Sequence, residues 1–75
     1  MAKKSAVETV YKVVEVIGTS TQSWEDAART AVETAGRTLR NLRIAEVVKQ
    51  DMKVENGKVV AYRTRVLISF KYEGA

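Results

Sequence analysis

The side chains able to do chemistry in this chain are a scatter of carboxylates and a few clustered cations. Glu15, Glu46, Asp51 and Glu55 are oxygen donors of the kind a hard cation takes. They do not have the spacing of a calcium-binding loop, so one chain offers no preformed cage. On a symmetry axis, however, one carboxylate becomes several, and Glu46 and Asp51 are the candidate metal ligands on that route. Arg63, Arg65 and Lys71 alternate along one face of a strand, and Arg37, Arg40 and Arg43 follow a helical stretch, where cations complement the helix dipole. The simpler reading of both groups is a solvated face and a helix end; the alternative is anion binding. Glu46 is expected to pair across strands with Arg63 or Arg65. Gly18-Thr19-Ser20 sits between a strand and a helix and could hold a small anion, although a turn alone accounts for Gly18. Catalysis has no comparable footing. The chain contains no His and no Cys, Ser20, Ser23 and Ser69 have no adjacent base, and no Gly-rich phosphate loop is present. It is read as a non-enzyme.

The rest of the composition narrows the class further. Thirteen Lys and Arg against nine Asp and Glu give a net charge of +4. The signs are interleaved rather than gathered on one face, which argues against a nucleic-acid partner. No apolar run approaches the roughly 20 residues needed to cross a bilayer, and the start MAKKSAVETV lacks the apolar segment of a secretory signal. A membrane partner is therefore not expected, and the cytoplasm is the expected location. Without Cys or His, neither disulfides nor the common zinc sites can staple a chain of 75 residues. Such a chain buries only about 60% of its unfolded surface. Oligomerisation is the remaining route to solidity.

The elements that must position these groups follow from periodicity. Val10–Ile17, rich in β-branched residues, reads as a strand. Neither of its faces is cleanly polar, so part of the second face is expected to be covered, with another chain as the candidate cover. Gly18–Gln22 reads as a loop. Ser23 is placed to cap a helix, with Asp26 completing a Ser-x-x-Asp capping box. The helix is expected over Trp24–Leu39, its stripe of Trp24, Ala27, Ala28, Ala31, Val32, Ala35 and Leu39 facing a sheet. Trp24 is read as a core anchor on that stripe and Tyr62 as a packing residue. Ile44–Glu55 and Lys58–Glu73 form a hairpin around Asn56-Gly57, the type I′ turn signal. The last strand alternates well. The preceding one changes phase: an unbroken register would set Lys53, Asp51 and Lys49 opposite Val60, Tyr62 and Thr64 on the apolar face. A β-bulge is one remedy; the preferred one is that the outer hairpin leaves the monomer core and meets a neighbour. The fold class is α+β: a β-α-β-β unit with a three-stranded antiparallel sheet wrapped around one helix. Residues 1–9 are expected to be a solvated tail and 10–75 the single domain.

VYKVVEVIGTS (10–20), the capped helix from Ser23, TLRNLRIAEVV (38–48) and VVAYRTRVLISFKYE (59–73) together resemble the dodecin family in order, spacing and total length. The resemblance implies a hollow homo-dodecamer with cubic symmetry, helices outside and sheets within. It also implies non-enzymatic storage of flavin, FMN or riboflavin, as stacked pairs at subunit contacts. Two family residues carry that binding: a Trp after the helix that stacks on the ring, and a Gln on the last strand that bonds its pyrimidine edge. Their positions here are Ile44 and Arg63. A dodecin-like group shares this pattern, with calcium proposed as its ligand. The resemblance thus implies a small-ligand storage shell, with a flavin-free structural or calcium-binding shell as the alternative.

Overall fold

The computed structural model describes residues 9–72. Four elements follow in chain order: β1 (Tyr11–Ser20), α1 (Trp24–Ala35), β2 (Leu42–Glu55) and β3 (Lys58–Lys71). The three strands form one antiparallel sheet in the order β1-β3-β2. This is the expected β-α-β-β arrangement, with the last strand at its centre. The expected tail lies outside the described residues except for Thr9. No helix among the described residues is long and apolar enough to cross a membrane.

The helix N-terminus forms as the Ser-x-x-Asp pattern requires. Ser23 is extended and its hydroxyl accepts from the Asp26 amide at 2.9 Å. The reciprocal half of the box differs from expectation. The Asp26 carboxylate accepts instead from the Ser20 hydroxyl at 2.7 Å, and Ser20 Oγ in turn accepts from the Gln22 and Ser23 amides. The helix stops at Ala35, one turn earlier than its apolar pattern suggests, with Gly36 as its C-cap. Arg37, Arg40 and Arg43 therefore lie beyond the last turn, which contains no basic residue.

Ala27, Ala31 and Ala35 line one buried face of α1 at i, i+4, i+8 and pack toward Val66 and Ile68 of β3, with Val14, Val16, Leu39 and Leu42 around them. The small stripe lets helix and strand come very close. β1 continues through Gly18-Thr19-Ser20, a stretch expected as loop, and a Cβ at Gly18 would stand 1.9 Å from the Ala27 carbonyl oxygen. Close approach, rather than a turn, is what requires glycine there.

Asn56 and Gly57 both have positive φ (52° and 75°), as a type I′ turn demands. Val54 faces Val59, but the register then shifts, so that Lys53, Asp51 and Lys49 oppose Ala61, Arg63 and Arg65. A second shift between Val47 and Lys49 restores Val47 to Val66 and Ala45 to Ile68. Bulges thus keep the charges off the helix side. The hairpin also outruns its cover: 14-residue strands span about 46 Å, a 12-residue helix about 18 Å, and the longest molecular dimension is 62 Å. Met52, Val54, Val59 and Val60 remain exposed along it, and Val13, Ile17 and Ile44 are exposed on the face away from the helix.

Candidate functional site

The strand register arranges the helix-free face as a series of rungs. Thr19, Arg63 and Asp51 form one; Ile17, Arg65 and Lys49 the next; Glu15, Leu67 and Glu46 the third; Val13, Ser69 and Ile44 the fourth. All four residues singled out by sequence lie on this one face. The structure brings two of them together and leaves two apart.

Asp51 and Arg63 are directly opposed, and their side chains lock as a fork. Arg63 Nε donates to Asp51 Oδ1 at 2.7 Å and Nη2 donates to Oδ2 at 2.8 Å. Such bidentate pairs are the strong, geometrically defined form of an ion pair. Hydrogen bonding from Arg63 is the chief reason the Asp51 carboxyl sits below its ordinary pKa, with the charges of Arg63, Arg65 and Lys49 adding to it. The same bonds raise Arg63. The expected pairing of Glu46 with Arg63 or Arg65 does not form: Arg63 takes Asp51, while Arg65 Nε lies 3.5 Å from Glu15 Oε2. The physical reason is register: Glu46 faces Leu67, two rungs from Arg63, while the one-residue displacement between the two bulges sets Asp51 directly beside Arg63.

The backbone under this pair is pinned from the other side of the sheet. Trp24 Nε1 donates to the Asp51 carbonyl at 2.9 Å, and its ring meets Tyr62 edge-on at a centroid distance of 5.1 Å. Thr64, fully buried, donates its hydroxyl to the Trp24 carbonyl at 2.8 Å. Trp24 is therefore a tether as well as an anchor, joining the start of α1 to the middle of β2. The sequence signal for this is an indole N–H on a helix face turned to the core, a donor that must find an acceptor.

Ile44 is 67% exposed. Its partner Ser69 is six residues along β3 from Arg63, about 20 Å at strand rise. Ile44 and Arg63 of one chain cannot line one pocket. Glu46 lies two rungs from Asp51, about 13 Å away, and no group of three acidic side chains able to hold a metal occurs among the described residues. A pocket lined by both Ile44 and Arg63, or an ion held by both Glu46 and Asp51, needs more than one copy of the chain.

Comparison with known proteins places the arrangement. The sequence profile of the dodecin family matches residues 10–73. The chain is 43% identical over 67 residues to the calcium dodecin of Mycobacterium tuberculosis, covering 89% of this chain and 94% of that protein. The solved structure of that calcium dodecin, described with a novel calcium-binding site, superposes with a TM-score of 0.77 at 45% identity, over 88% of this chain and 94% of that one. The dodecin of Streptomyces coelicolor superposes with a TM-score of 0.83 at 34% identity, over 89% and 96% of the two chains.

Proposed function

The chain belongs to the dodecin family, and on that premise we propose that it is a non-enzymatic binding protein, a hollow homo-dodecamer that holds a small ligand between copies. The observation that carries this reading is the separation of the site residues: Ile44 and Arg63 stand about 20 Å apart in one chain, and apolar side chains are exposed at Val13, Ile17 and Ile44 on the helix-free face and along the hairpin. Association covers that surface and assembles the site in one step.

Calcium is the ligand these residues favour over flavin. Ile44 offers no ring to stack, which removes roughly 0.5–1.5 kcal/mol per contact. Arg63 offers donors only, and two of them are already committed to Asp51. Calcium needs six to eight oxygens, which neighbouring chains supply together. Glu46 is exposed and makes no ion pair among the described residues, so it is the better candidate ligand. Asp51 is the second candidate, and it must share its oxygens with Arg63. The Mycobacterium tuberculosis relative is named for the same ion.

Calorimetric titration with calcium tests this. Saturable heat is expected from the natural chain and its loss from Glu46→Gln. Flat heats from the natural chain remove calcium. Flavin fluorescence should be unmoved by the natural protein and quenched by the Ile44→Trp, Arg63→Gln double variant. Tight quenching by the natural chain would reverse the choice of ligand, and no gain in the double variant would show that these positions do not line the pocket.

A further inference from the structure

The tip of the β2–β3 hairpin carries a reactive dipeptide. Asn56 and Gly57 are exposed and stand between exposed Lys53, Glu55 and Lys58, so the tip itself is polar where Val54 and Val59 below it are not. The two-residue turn closes through the pair Glu55–Lys58. In that closure the Gly57 amide donates to neither strand and faces water. The space around Gly57 is open: a Cβ built there would meet no atom within 4 Å. A carboxamide side chain can close a cyclic imide onto the next residue's amide nitrogen when that nitrogen is bare and no side chain obstructs the approach. Asn56 and Gly57 meet both conditions. Asn41 has a similar left-handed backbone, with φ of 60°, but not the same freedom. Its carbonyl accepts from the Lys71 amide at 3.1 Å, and the residue after it is Leu42, whose branched side chain packs against the core.

We propose that Asn56 is a site of spontaneous deamidation and that its isoaspartate product opens the outer hairpin. Hydroxide removes the Gly57 amide proton, and the nitrogen attacks Asn56 Cγ. The new N–Cγ bond forms and the Cγ–Nδ2 bond breaks as ammonia leaves. Water then opens the imide. Attack at Cγ leaves aspartate; attack at the former backbone carbonyl carbon leaves isoaspartate, with the chain now running through Cγ. Water enters, ammonia departs, nothing is oxidised or reduced, and one negative charge is added to a chain of net charge +4. Isoaspartate lengthens the main chain by one carbon inside a turn whose two positive φ values, 52° and 75°, set the register of both strands. No regular ladder backs this turn up: after Val54–Val59 the register already shifts, between Lys53 and Val54. Ordinary aspartate fits, because Asp-Gly suits a type I′ turn as Asn-Gly does. The extra backbone carbon, rather than the charge, is what opens the hairpin. The reaction needs neither ligand nor assembly.

Ageing the intact protein in warm, mildly alkaline buffer, followed by mass-spectrometric peptide mapping, tests the proposal. A gain of one mass unit should accumulate at position 56 at least tenfold faster than at Asn41, with isoaspartate the major product, and more slowly in neutral buffer. In NMR spectra the cross-strand nuclear Overhauser contact between Val54 and Val59 should be lost from the isoaspartate-bearing fraction and kept in freshly prepared Asn56→Asp. That variant carries the added charge on an unaltered backbone. The proposal is overturned by conversion at position 56 no faster than at Asn41, by a rate indifferent to pH, or by a Val54–Val59 contact that survives in the isoaspartate-bearing fraction. Loss of the contact in Asn56→Asp as well would assign the effect to charge and overturn the backbone account.

Discussion

Gly18→Ala should disable this fold out of proportion to its one added methyl group. The new Cβ would lie 1.9 Å from the carbonyl oxygen of Ala27, 2.9 Å from its carbonyl carbon and 3.0 Å from the Ala31 Cβ. The first contact falls about 1.5 Å short of ordinary van der Waals separation, and the obstructing atom is helix backbone, with no rotamer to relieve it. Either α1 lifts from β1 or the strand bends away. Over-packing costs typically about 1–3 kcal/mol, and a rigid backbone obstacle puts this site at the top, about 3 kcal/mol. An isolated chain of this size has only roughly 4–11 kcal/mol to lose. The shift also carries Trp24, whose indole N–H tethers Asp51, so the fork with Arg63 should loosen as well. Urea unfolding followed by fluorescence of the single tryptophan measures the effect, with both proteins at one concentration because association contributes to apparent stability. A loss below about 0.5 kcal/mol, within the usual scatter for surface changes, would refute the close-approach account of Gly18.

Two further outcomes follow from the tether and the fork. Trp24→Phe keeps a ring against Tyr62 but removes the bond to the Asp51 carbonyl, and should cost about 1 kcal/mol in urea unfolding, with the amide resonances around Asp51 and Arg63 shifting in NMR spectra. The depressed Asp51 pKa gives a definite sign to the acid response. The fork stabilises the folded state above the unfolded carboxylate pKa of about 3.9, and this contribution disappears as pH falls through the lower folded value. The natural chain should therefore lose stability on acidification more steeply than Asp51→Asn; parallel pH profiles would contradict the role given to the fork.

Much of the fold was legible because its signals are local. Asn56-Gly57 names its own turn, Ser23 and Asp26 announce the helix start, and the alternation through Thr64, Val66 and Ile68 identifies the face that meets the helix. The dodecin resemblance rested on the order of these pieces, and the family match over residues 10–73 bears it out. What sequence reading missed was set by long-range geometry. The broken phase of β2 is visible in the sequence, but not the position of its bulges, and a one-residue slip decides whether Arg63 meets Gln50 or Asp51. Gly18 reads as a turn residue in the sequence because nothing in a linear pattern reports a helix carbonyl pressed against a strand. The bond from Trp24 to Asp51 spans 27 residues, a distance over which composition carries no register. Ile44, Arg63, Glu46 and Asp51 were all placed on strands, and only the register showed that a single chain divides them.

The mass of the native protein in solution bears most directly on the account. Multi-angle light scattering at micromolar concentration should return the mass of a dodecamer of the 8.3 kDa chain, unchanged on moderate dilution. A stable, folded species at 8.3 kDa would contradict it, since Ile44 and Arg63 would then never meet and the exposed hairpin would need no neighbour.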